Sequence, residues 1–299
     1  MILLRMIGGL GNQMFQYAFA YGLAQKNKTL LKIDRSLLDD KTKPHEIVTH
    51  RDLVLQDVFQ LTIDIASKKE IEYFNGKLYQ SFVGKIINKI FWQFKKHRLI
   101  IEQDRGFNNN LTKLNDNVCL VGAFQSEKYF ANINDLKNIF KFKYPILEQS
   151  ITLANEVELV NSVAIHVRRG DYVTSPVYNK MIGVLPISYY IESVNIMKEK
   201  LDNPVFYVFS DDIDWCKSEL RIPNTFLNYV GDEHAGIHAR NYMQLLSRCK
   251  HFIISNSTFA WWAAWLGEKK GSIIIGPNNW FKDKEITSKD ILPERWVKV

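Results

Sequence analysis

The sequence predicts an α/β fold built on parallel sheets, and two observations lead to this prediction. Short apolar segments such as Val163 to Val167 and Val205 to Phe209 alternate with helical segments along the whole chain. Apolar runs of this kind are typical of parallel strands buried on both faces, and their alternation with helices favours a doubly wound sheet. The second observation is length, because 299 residues with 46% apolar content are enough for two α/β domains of ordinary size.

The first half opens with a β-loop-α unit. Residues Ile2 to Ile7 form the predicted strand, and Gly8, Gly9 and Gly11 form a tight turn into the helical segment MFQYAFAYGLAQKN. A glycine-rich loop at a helix start can direct free backbone N–H groups at an anion or a sugar. The region from Asp34 to about Leu61 is expected to be irregular, and the segment from Leu136 to Pro145 is polar and lysine-rich. Three further elements are predicted in this half: strands at Thr29 to Asp34 and from Val118, and a helix from Glu148 to about Leu159.

The second half repeats the alternation of strands and helices. Strands are predicted at Val163 to Val167, Val205 to Phe209, Thr225 to Gly231, His251 to Asn256 and Ser272 to Pro277. Helices are predicted at Leu185 to Leu201, from about Asp214, at Gly236 to Lys250 and at Ser257 to Gly267. The tail from Asn278 to Val299 is expected to carry a short helix.

Charge and cysteine content narrow the range of functions. The net charge of +7 favours an anionic partner, which the charge alone leaves open between nucleic acid, an acidic membrane surface and a sugar nucleotide. No nucleic-acid-binding motif accompanies the charge. The three cysteines, Cys119, Cys216 and Cys249, fit neither a disulfide framework nor metal-ligand spacing. We therefore expect a soluble cytoplasmic protein without a signal peptide or a membrane span.

One segment is both basic and aromatic. Val83 to Arg98, VGKIINKIFWQFKKHR, places apolar side chains on one helical face and lysines around the other. Such a helix either packs its apolar face on its own domain or lies on an anionic membrane surface. The second alternative predicts a peripheral contact with the inner face of the cytoplasmic membrane.

The stretch VAIHVRRGDYVTS, Val163 to Ser175, carries the main candidate site. The predicted strand runs directly into Arg168, Arg169 and Asp171, so these charges lie at its carboxyl end. Ligands of open α/β sheets bind at that edge, and two adjacent guanidiniums there favour a clamp for an anion such as a diphosphate. The alternative is a surface ion pair between an arginine and Asp171.

Two helix starts add candidate binding residues. Ser257 and Thr258 follow the strand from His251, where hydroxyls and free N–H groups can bind phosphate with the positive end of the helix dipole. Helix capping alone is the alternative. Asn12 and Gln13 follow the first glycine loop and could reach a ligand in the same way, again with capping as the alternative for Asn12. The tryptophans of the second helix, Trp261, Trp262 and Trp265, have helical spacing and are expected in the core.

Acidic residues at strand ends give weaker signals. Asp212 and Asp214 form a D-x-D pair, which in many glycosyltransferases holds a divalent ion, but Asp214 is also a plausible N-cap. The arginines already supply positive charge, so we expect no metal and no other cofactor. Asp34 ends the second strand, where a nucleotide-binding domain would use an acid for the ribose.

Three strings resemble the bacterial α-1,2-fucosyltransferase family. They are GGLGNQMFQYA from Gly8 to Ala18, HVRRGDY from His166 to Tyr172, and NSTFAWWAAWL from Asn256 to Leu266, and they stand in the family's order. The second contains the H-x-R-R core shared with α-1,6- and protein O-fucosyltransferases. The resemblance implies two Rossmann-like domains facing a cleft, the GT-B-type architecture. The acceptor-side domain would span residues 1–160 and the donor-binding domain residues 161–299, with a tail from about residue 278 that either stays there or returns to the first domain.

The activity that this resemblance implies is an inverting transfer of L-fucose from GDP-fucose. The acceptor would be a sugar hydroxyl, most naturally O-2 of a galactoside, in cell-surface glycan synthesis such as that of O-antigen, on a free or lipid-linked glycan. Arg168 matches the shared arginine and would stabilise charge developing on the departing GDP. His166 and Asp171 would orient the arginines. Asn12, Arg169, Ser257 and Thr258 would bind the donor.

Two roles remain open at this stage. The general base is a choice among Asp171, His166 and Asp34. Relatives carry an aspartate for the guanine edge where this chain has Tyr242, so Asn241, Asp232 or Glu233 would replace it.

A non-catalytic sugar-nucleotide or glycan sensor is the alternative from another class, and it would not release GDP from the donor. A basic nucleic-acid-binding protein is a third reading, which the salt dependence of binding would test.

Overall fold

The computed structural model describes residues 1–42, 51–75, 98–130 and 133–299, and within them the chain forms two parallel sheets. The predicted α/β fold with parallel sheets is confirmed. The predicted amphipathic helix from Val83 lies outside the described residues, except that Arg98 begins a strand. Among the described residues, no helix combines the length and apolar character needed to cross a bilayer.

The first sheet has four strands in the order β2-β1-β4-β3, all parallel. They are β1 (Ile2–Arg5), β2 (Leu31–Asp34), β3 (Arg98–Ile101) and β4 (Val118–Val121). Strand β1 is central, with Ile2 opposite both Leu31 and Val118. Strand β3 was not predicted, because its three apolar residues are too few to separate it from the basic segment before it.

The second sheet has six strands in the order β10-β9-β8-β5-β6-β7, also parallel. They are β5 (Ser162–Val167), β6 (Val205–Ser210), β7 (Leu227–Tyr229), β8 (His251–Ile253), β9 (Ile274–Gly276) and β10 (Val297–Lys298). The chain runs outward from β5 through β6 to β7 and then returns to β8 on the other side of β5. A crevice at such a reversal, outside the carboxyl ends of the strands, is where open α/β sheets bind ligands.

Helices connect most of the strands, except that a 3₁₀ turn lies between β3 and β4 and only turns lie between β9 and β10. In the first half they are α1 (Leu10–Lys26), α2 (Ser36–Asp39), α3 (Leu55–Val58), α4 (Lys68–Asn75), α5 (Ile133–Ile139) and α6 (Ile151–Leu159). In the second half they are α7 (Gly170–Thr174), α8 (Pro176–Met181), α9 (Ile187–Lys200), α10 (Ile213–Glu219), α11 (Arg240–Arg248) and α12 (Thr258–Gly267). Single 3₁₀ turns lie at Leu111–Lys113, Glu127–Tyr129, Glu148–Ser150, Asp232–His234 and Ile237–Ala239.

Several predicted boundaries are wrong for local reasons. Helices α2 and α3 occupy the region expected to be irregular, because each is short and carries too little periodic signal to be seen in sequence. The helix predicted from Gly236 starts at Arg240, since His238 and Ala239 both adopt left-handed backbone with φ of 54°.

The tail is the clearest difference. Residues 278–296 run as turns and extended backbone, so the short helix predicted there is wrong. The tail ends as β10, which pairs with β9 of the second sheet. On the way it also contacts the first half, where the Asp290 carboxylate accepts hydrogen bonds from Lys128 Nζ at 2.8 Å and from the Phe107 N–H at 3.0 Å.

An aromatic core joins the two halves. Trp261, Trp262 and Trp265 of α12 are almost completely buried, so the prediction that they are core residues is confirmed. Phe15 of α1 packs against the rings of Trp261 and Trp262, with centroid distances of 4.5 and 5.0 Å. Helix α1 follows β1 of the first sheet, and α12 follows β8 of the second. Their contact therefore fixes one sheet against the other.

Candidate active site

A cavity of about 500 Å³ lies between the two halves of the chain. Its walls are the segments that follow β1, β5, β6 and β8, so it opens at the carboxyl ends of strands from both sheets. Six predicted site residues line it: Asn12, His166, Arg168, Asp171, Ser257 and Thr258. The other two predicted site residues are Arg169 and Asn241. The structure describes both, and neither lines the cavity.

Arg168 is held by two carboxylates. Its Nη2 donates to Asp171 Oδ1 at 2.6 Å, and its Nη1 pairs with Asp211 Oδ2 at 2.9 Å. Burial alone would lower the pKa of Arg168, but the attraction of Asp211 and Asp171 outweighs it and raises that pKa. Gly170 makes the pairing possible, because a Cβ there would collide with the Asp211 carboxylate. The guanidinium is therefore permanently charged and fixed in orientation before any ligand is bound.

His166 is buried and neutral. Burial, and secondarily the charge of Arg168, lower its pKa to about 3. Its Nδ1 lies 2.8 Å from the Ser255 hydroxyl, which fixes the ring at the floor of the cavity. A histidine with so low a pKa is a weak base, and it adds no charge that would repel the arginine.

Two helix starts meet at the cavity. Gly9 is the N-cap of α1 and Ser257 the N-cap of α12, and neither helix has a side-chain capping hydrogen bond. A Cβ at Gly11 would collide with the backbone of Thr258 and Phe259, so only glycine permits this approach of the two helices. Both helix starts line the cavity and carry the positive ends of their dipoles to it.

The polar residues of the first loop divide into two roles. Asn12 lines the cavity, and its Oδ1 accepts from Gln125 Nε2 at 2.9 Å. Gln13 is buried and ties the loop to the segment before α3, donating to the carbonyls of Gly8 and Asp52 and accepting from the Val54 N–H. Gln13 therefore shapes the cavity wall, contrary to the prediction that it reaches a ligand.

Arg169 requires a correction. Its Nε donates to Asp212 Oδ2 at 2.9 Å, and its guanidinium carbon lies 3.8 Å from the centre of the Trp215 ring. Successive side chains at a strand end point to opposite faces, so Arg168 faces the cavity while Arg169 packs on α10. The clamp predicted from two adjacent arginines is not formed by that pair.

Asn241 requires a second correction. It is buried, and its Nδ2 donates to the Ser150 hydroxyl at 2.9 Å and to the His234 carbonyl at 2.7 Å. Its Oδ1 accepts from the Leu147 N–H at 2.9 Å. These bonds occupy the amide within the protein, which makes Asn241 a structural residue. The neighbouring Tyr242 does line the cavity, with its hydroxyl donating to the Val230 carbonyl at 2.6 Å.

The candidate acids also differ from their predicted roles. Asp34 is buried against Arg5, with Nε to Oδ2 at 2.6 Å, and lies away from the cavity, so it is wrong as a general base. Asp212 rather than Asp214 is the N-cap of α10, accepting from the Trp215 N–H at 3.3 Å. Asp214 is 94% exposed and pairs with Lys217. The D-x-D pair is thus divided between a helix cap and the surface.

Two residues that the sequence did not single out belong to the site. Asp211 pairs with Arg168 and also accepts from the Arg169 N–H at 2.9 Å. Its position at the end of a predicted strand was a signal that could have found it. Arg51 lines the cavity from the first half and donates to Asp171 Oδ2 at 2.8 Å. It had no signal, because its segment has no regular pattern.

The paired sheets, with a fixed guanidinium and two helix starts at their shared edge, define an α/β protein of the class that binds phosphate-bearing ligands. Comparison with known proteins narrows that class. The family model of Glycosyl transferase family 11 matches residues 1–299, and the chain belongs to this family. The resemblance to α-1,2-fucosyltransferases is thereby confirmed, and the protein is a glycosyltransferase.

Individual relatives agree with that assignment. The chain is 32% identical over 311 residues to an Escherichia coli alpha-1,2-colitosyltransferase, covering 100% of this chain and 98% of that protein. It is 32% identical to the Escherichia coli O-antigen biosynthesis glycosyltransferase WbnK, covering 92% and 93%. A mutant of Arabidopsis thaliana FUT1 solved in complex with GDP has a similar fold, with a TM-score of 0.50 and 14% identity over 93% of this chain and 71% of that one.

Proposed function

We propose that this protein transfers L-fucose, or a closely related sugar, from a GDP-linked donor to a hydroxyl of a glycan with inversion at the anomeric carbon. O-2 of a galactoside is the acceptor position favoured by the similarity to relatives named galactoside alpha-(1,2)-fucosyltransferases. In this proposal residues 1–160 and 161–299 are two Rossmann-like domains of GT-B type facing each other across the cavity. The presence of one parallel sheet in each half supports that division.

The observation that carries the proposal is the fixed guanidinium of Arg168 in the cavity. Departure of a nucleoside diphosphate leaves negative charge on the phosphate oxygen that was bonded to the sugar. A hydrogen-bonding cation that is already oriented toward that oxygen stabilises the transition state without reorganising, which lowers the activation barrier itself. Asp171 and Asp211 supply the orientation, so we assign them as positioning residues for Arg168.

The helix starts would bind the rest of the diphosphate. Ser257 and Thr258 offer hydroxyls beside the N-terminus of α12, and the Ser257 side chain makes no capping bond to its own helix. Asn12 and the glycine loop of α1 face them from the first half. Phosphate bound at the meeting point of two helix dipoles would join both halves of the chain.

The acceptor hydroxyl would need little base assistance. Asp171 and His166 remain as candidates, but Asp171 is shared by two arginines and His166 binds a proton only weakly. A loose, cation-like transition state draws the nucleophile in without prior deprotonation. We therefore propose that the developing charge on the leaving group, rather than a strong base, controls the rate.

The donor base and sugar are the finer points of the proposal. Asp232 lines the cavity close to Tyr242, and we propose it as the carboxylate that reads the guanine edge. The relative named as a colitosyltransferase leaves the sugar open between fucose and colitose. Parallel assays with GDP-fucose and GDP-colitose on a panel of galactosides would test the donor and the acceptor together.

Release of GDP separates an enzyme from a sensor. A transferase should produce GDP and a fucosylated or colitosylated acceptor in equal amounts, whereas a non-catalytic binding module should bind the donor and leave it intact. Binding without any product across the acceptor panel would contradict the proposed activity. Product formation that requires an acceptor hydroxyl would support it.

Metal independence is a further part of the proposal. Asp212 is engaged with Arg169 and Asp214 with Lys217, and the donor charge would instead be met by Arg168 and the helix starts. We expect transfer to continue in excess EDTA and to gain little from Mn²⁺ or Mg²⁺. Loss of transfer in EDTA that added metal restores would contradict this part.

The membrane contact predicted for Val83 to Arg98 stays a prediction. Weak binding to anionic liposomes is expected if the acceptor is lipid-linked. Charge reversal at Lys85, Lys89, Lys95 and Lys96 should abolish cosedimentation with such liposomes. Unchanged cosedimentation would return the segment to a role in packing.

A further inference from the structure

The wall of the cavity opposite Arg168 carries a second guanidinium. Arg51 lies in the segment before α3, and its Nη2 donates to Asp171 Oδ2 at 2.8 Å. The other oxygen of the same carboxylate accepts from Arg168 Nη2 at 2.6 Å. One aspartate therefore holds an arginine from each half of the chain, and Arg51 lies 120 residues before the Asp171 that it contacts.

The fold fixes where Arg51 lies. Gln13 of α1 donates to the Asp52 carbonyl at 2.7 Å and accepts from the Val54 N–H at 3.1 Å. These two bonds anchor the backbone of the residues that directly follow Arg51. The Arg51 side chain then passes beside Gly9, since a Cβ at Gly9 would lie 3.7 Å from Arg51 Nε. Arg51 is thus carried along the N-terminus of α1 into the cavity.

Charge makes Arg51 significant. Among the described lining residues the lysine and arginine side chains are Arg51 and Arg168, whereas four aspartates, Asp52, Asp171, Asp211 and Asp232, also line the cavity. A nucleoside diphosphate carries at least two negative charges, and a single arginine already paired with two carboxylates leaves them poorly compensated. Arg169 contributes nothing here, because it is paired with Asp212 and stacked on Trp215.

We propose that Arg51 binds the diphosphate of the donor and is the functional partner of Arg168. This inference rests on the proposed function and deepens it by naming the second cation of the diphosphate site. The clamp that the sequence places in two adjacent arginines is then made by two remote ones, one from each half. Asp171 holds both forks in position, and each guanidinium keeps N–H groups for phosphate oxygens.

The two arginines should have different kinetic roles. Arg168 is fixed by Asp171 and Asp211 and faces the charge that develops in the reaction. Arg51 has Asp171 as its carboxylate partner and is 38% exposed, so it can adjust to the ground-state diphosphate. Removal of Arg51 should therefore weaken donor and GDP binding, whereas removal of Arg168 should chiefly slow transfer.

Calorimetry with GDP on the whole protein tests the inference directly. Arg51→Gln should raise the Kd for GDP by about tenfold to a hundredfold, the range expected for a lost charge-assisted contact. Arg51→Lys keeps the charge without the planar fork and should fall between wild type and Arg51→Gln. Arg35→Gln is the matched control, since Arg35 pairs with Asp39 on exposed α2 and should leave GDP affinity unchanged.

Further measurements separate binding from positioning. If Arg51 acted only through Asp171, Asp171→Asn would reproduce its effect and the double variant would be no worse than either single variant. That result, or unchanged GDP affinity in a folded Arg51→Gln with a raised KM for acceptor, would overturn the inference. Wild-type protein that binds no GDP at all would instead contradict the proposed function, so the two failures are distinguishable.

Discussion

Arg168 shows how much of the site is decided by the partners of a single residue. Asp171 and Asp211 occupy both terminal nitrogens, and the ring of Tyr172 lies 5.3 Å from the guanidinium carbon. Burial raises the pKa of Tyr172 to about 12, so it stays a neutral hydroxyl that donates to the Asn256 carbonyl. The guanidinium is therefore rigid, charged and directed at the cavity.

Arg168→Lys is predicted to abolish most of the activity. The lysine keeps a charge but cannot bridge two carboxylates and a phosphate at once, because it lacks the planar fork. We expect transfer to fall by at least about a hundredfold, while the Kd for the donor, measured by calorimetry, weakens much less. Ser257→Ala and Thr258→Ala should show the reverse bias. Near-normal turnover with lost donor affinity would make Arg168 a binding residue only.

His166 should give the protein a stability that falls with acid. Burial lowers its pKa to about 3 in the folded protein from the ordinary histidine value of 6.5, so the unfolded chain binds a proton that the folded one excludes. Stability is then lost as pH falls below about 6.5, by about 2 kcal/mol between pH 7 and pH 5. Urea unfolding of wild type and His166→Asn at both pH values measures the change in the free energy of unfolding between pH 7 and pH 5. In the variant this change should be smaller by the contribution of His166. Equal pH slopes in both proteins would contradict it.

At the scale of elements, the decisive contact is between the starts of α1 and α12. Each helix follows a central strand of its own sheet, and each brings uncapped N–H groups to the cavity. Gly11 is the residue that lets the two backbones approach. The glycine loop therefore serves packing between the halves as well as the site.

Gly11→Ala is predicted to damage both stability and activity. The added methyl group would force the helix starts apart, and overpacking of this kind costs about 1–3 kcal/mol. Thermal unfolding and the KM for donor should both report the change. Gly106→Ala is the control, because its Cβ would meet no atom closer than 3.5 Å and its backbone is not left-handed. A Gly11→Ala protein with wild-type Tm and KM would show that the helices tolerate separation.

For the whole molecule, the aromatic core between the sheets favours a single cooperative unit. Phe15, Phe130 and Phe140 of the first half contact Trp262 of the second, with centroid distances of 5.0, 5.3 and 5.2 Å. A seam of large buried rings resists separation of the halves, unlike the polar and smaller interfaces usual between domains of one chain. The cavity is therefore formed by a rigid frame.

Phe15→Ala tests that frame. Removal of a fully buried phenylalanine should cost about 3–5 kcal/mol. We expect tryptophan fluorescence and far-UV circular dichroism to follow one urea transition in the wild type and one, at lower urea, in the variant. Phe226→Ala is the control, since Phe226 is 81% exposed and its loss should change stability by less than about 0.5 kcal/mol. Separate transitions for the two probes would indicate that the halves unfold independently.

Local patterns were sufficient for the class of fold and for most of the site. Apolar runs located eight of the ten described strands approximately or in part, whereas β3 and the short β10 were missed. The residues that end β5 and begin α12 were found because parallel strands deliver their carboxyl ends to one edge. The three family strings placed His166, Arg168, Asp171, Ser257 and Thr258 correctly at the cavity.

Side-chain direction and remote partners were decided only by the tertiary structure. Arg168 and Arg169 are equivalent in sequence, yet the alternation of a strand sends one to the cavity and the other to Trp215. Asn241 does not line the cavity, and its side-chain amide is hydrogen-bonded to Leu147, Ser150 and His234. Arg51 is gained because Gln13 and Asp171 hold it there. Each outcome depends on contacts between residues far apart in the chain, and such contacts leave no local pattern from which they could be read.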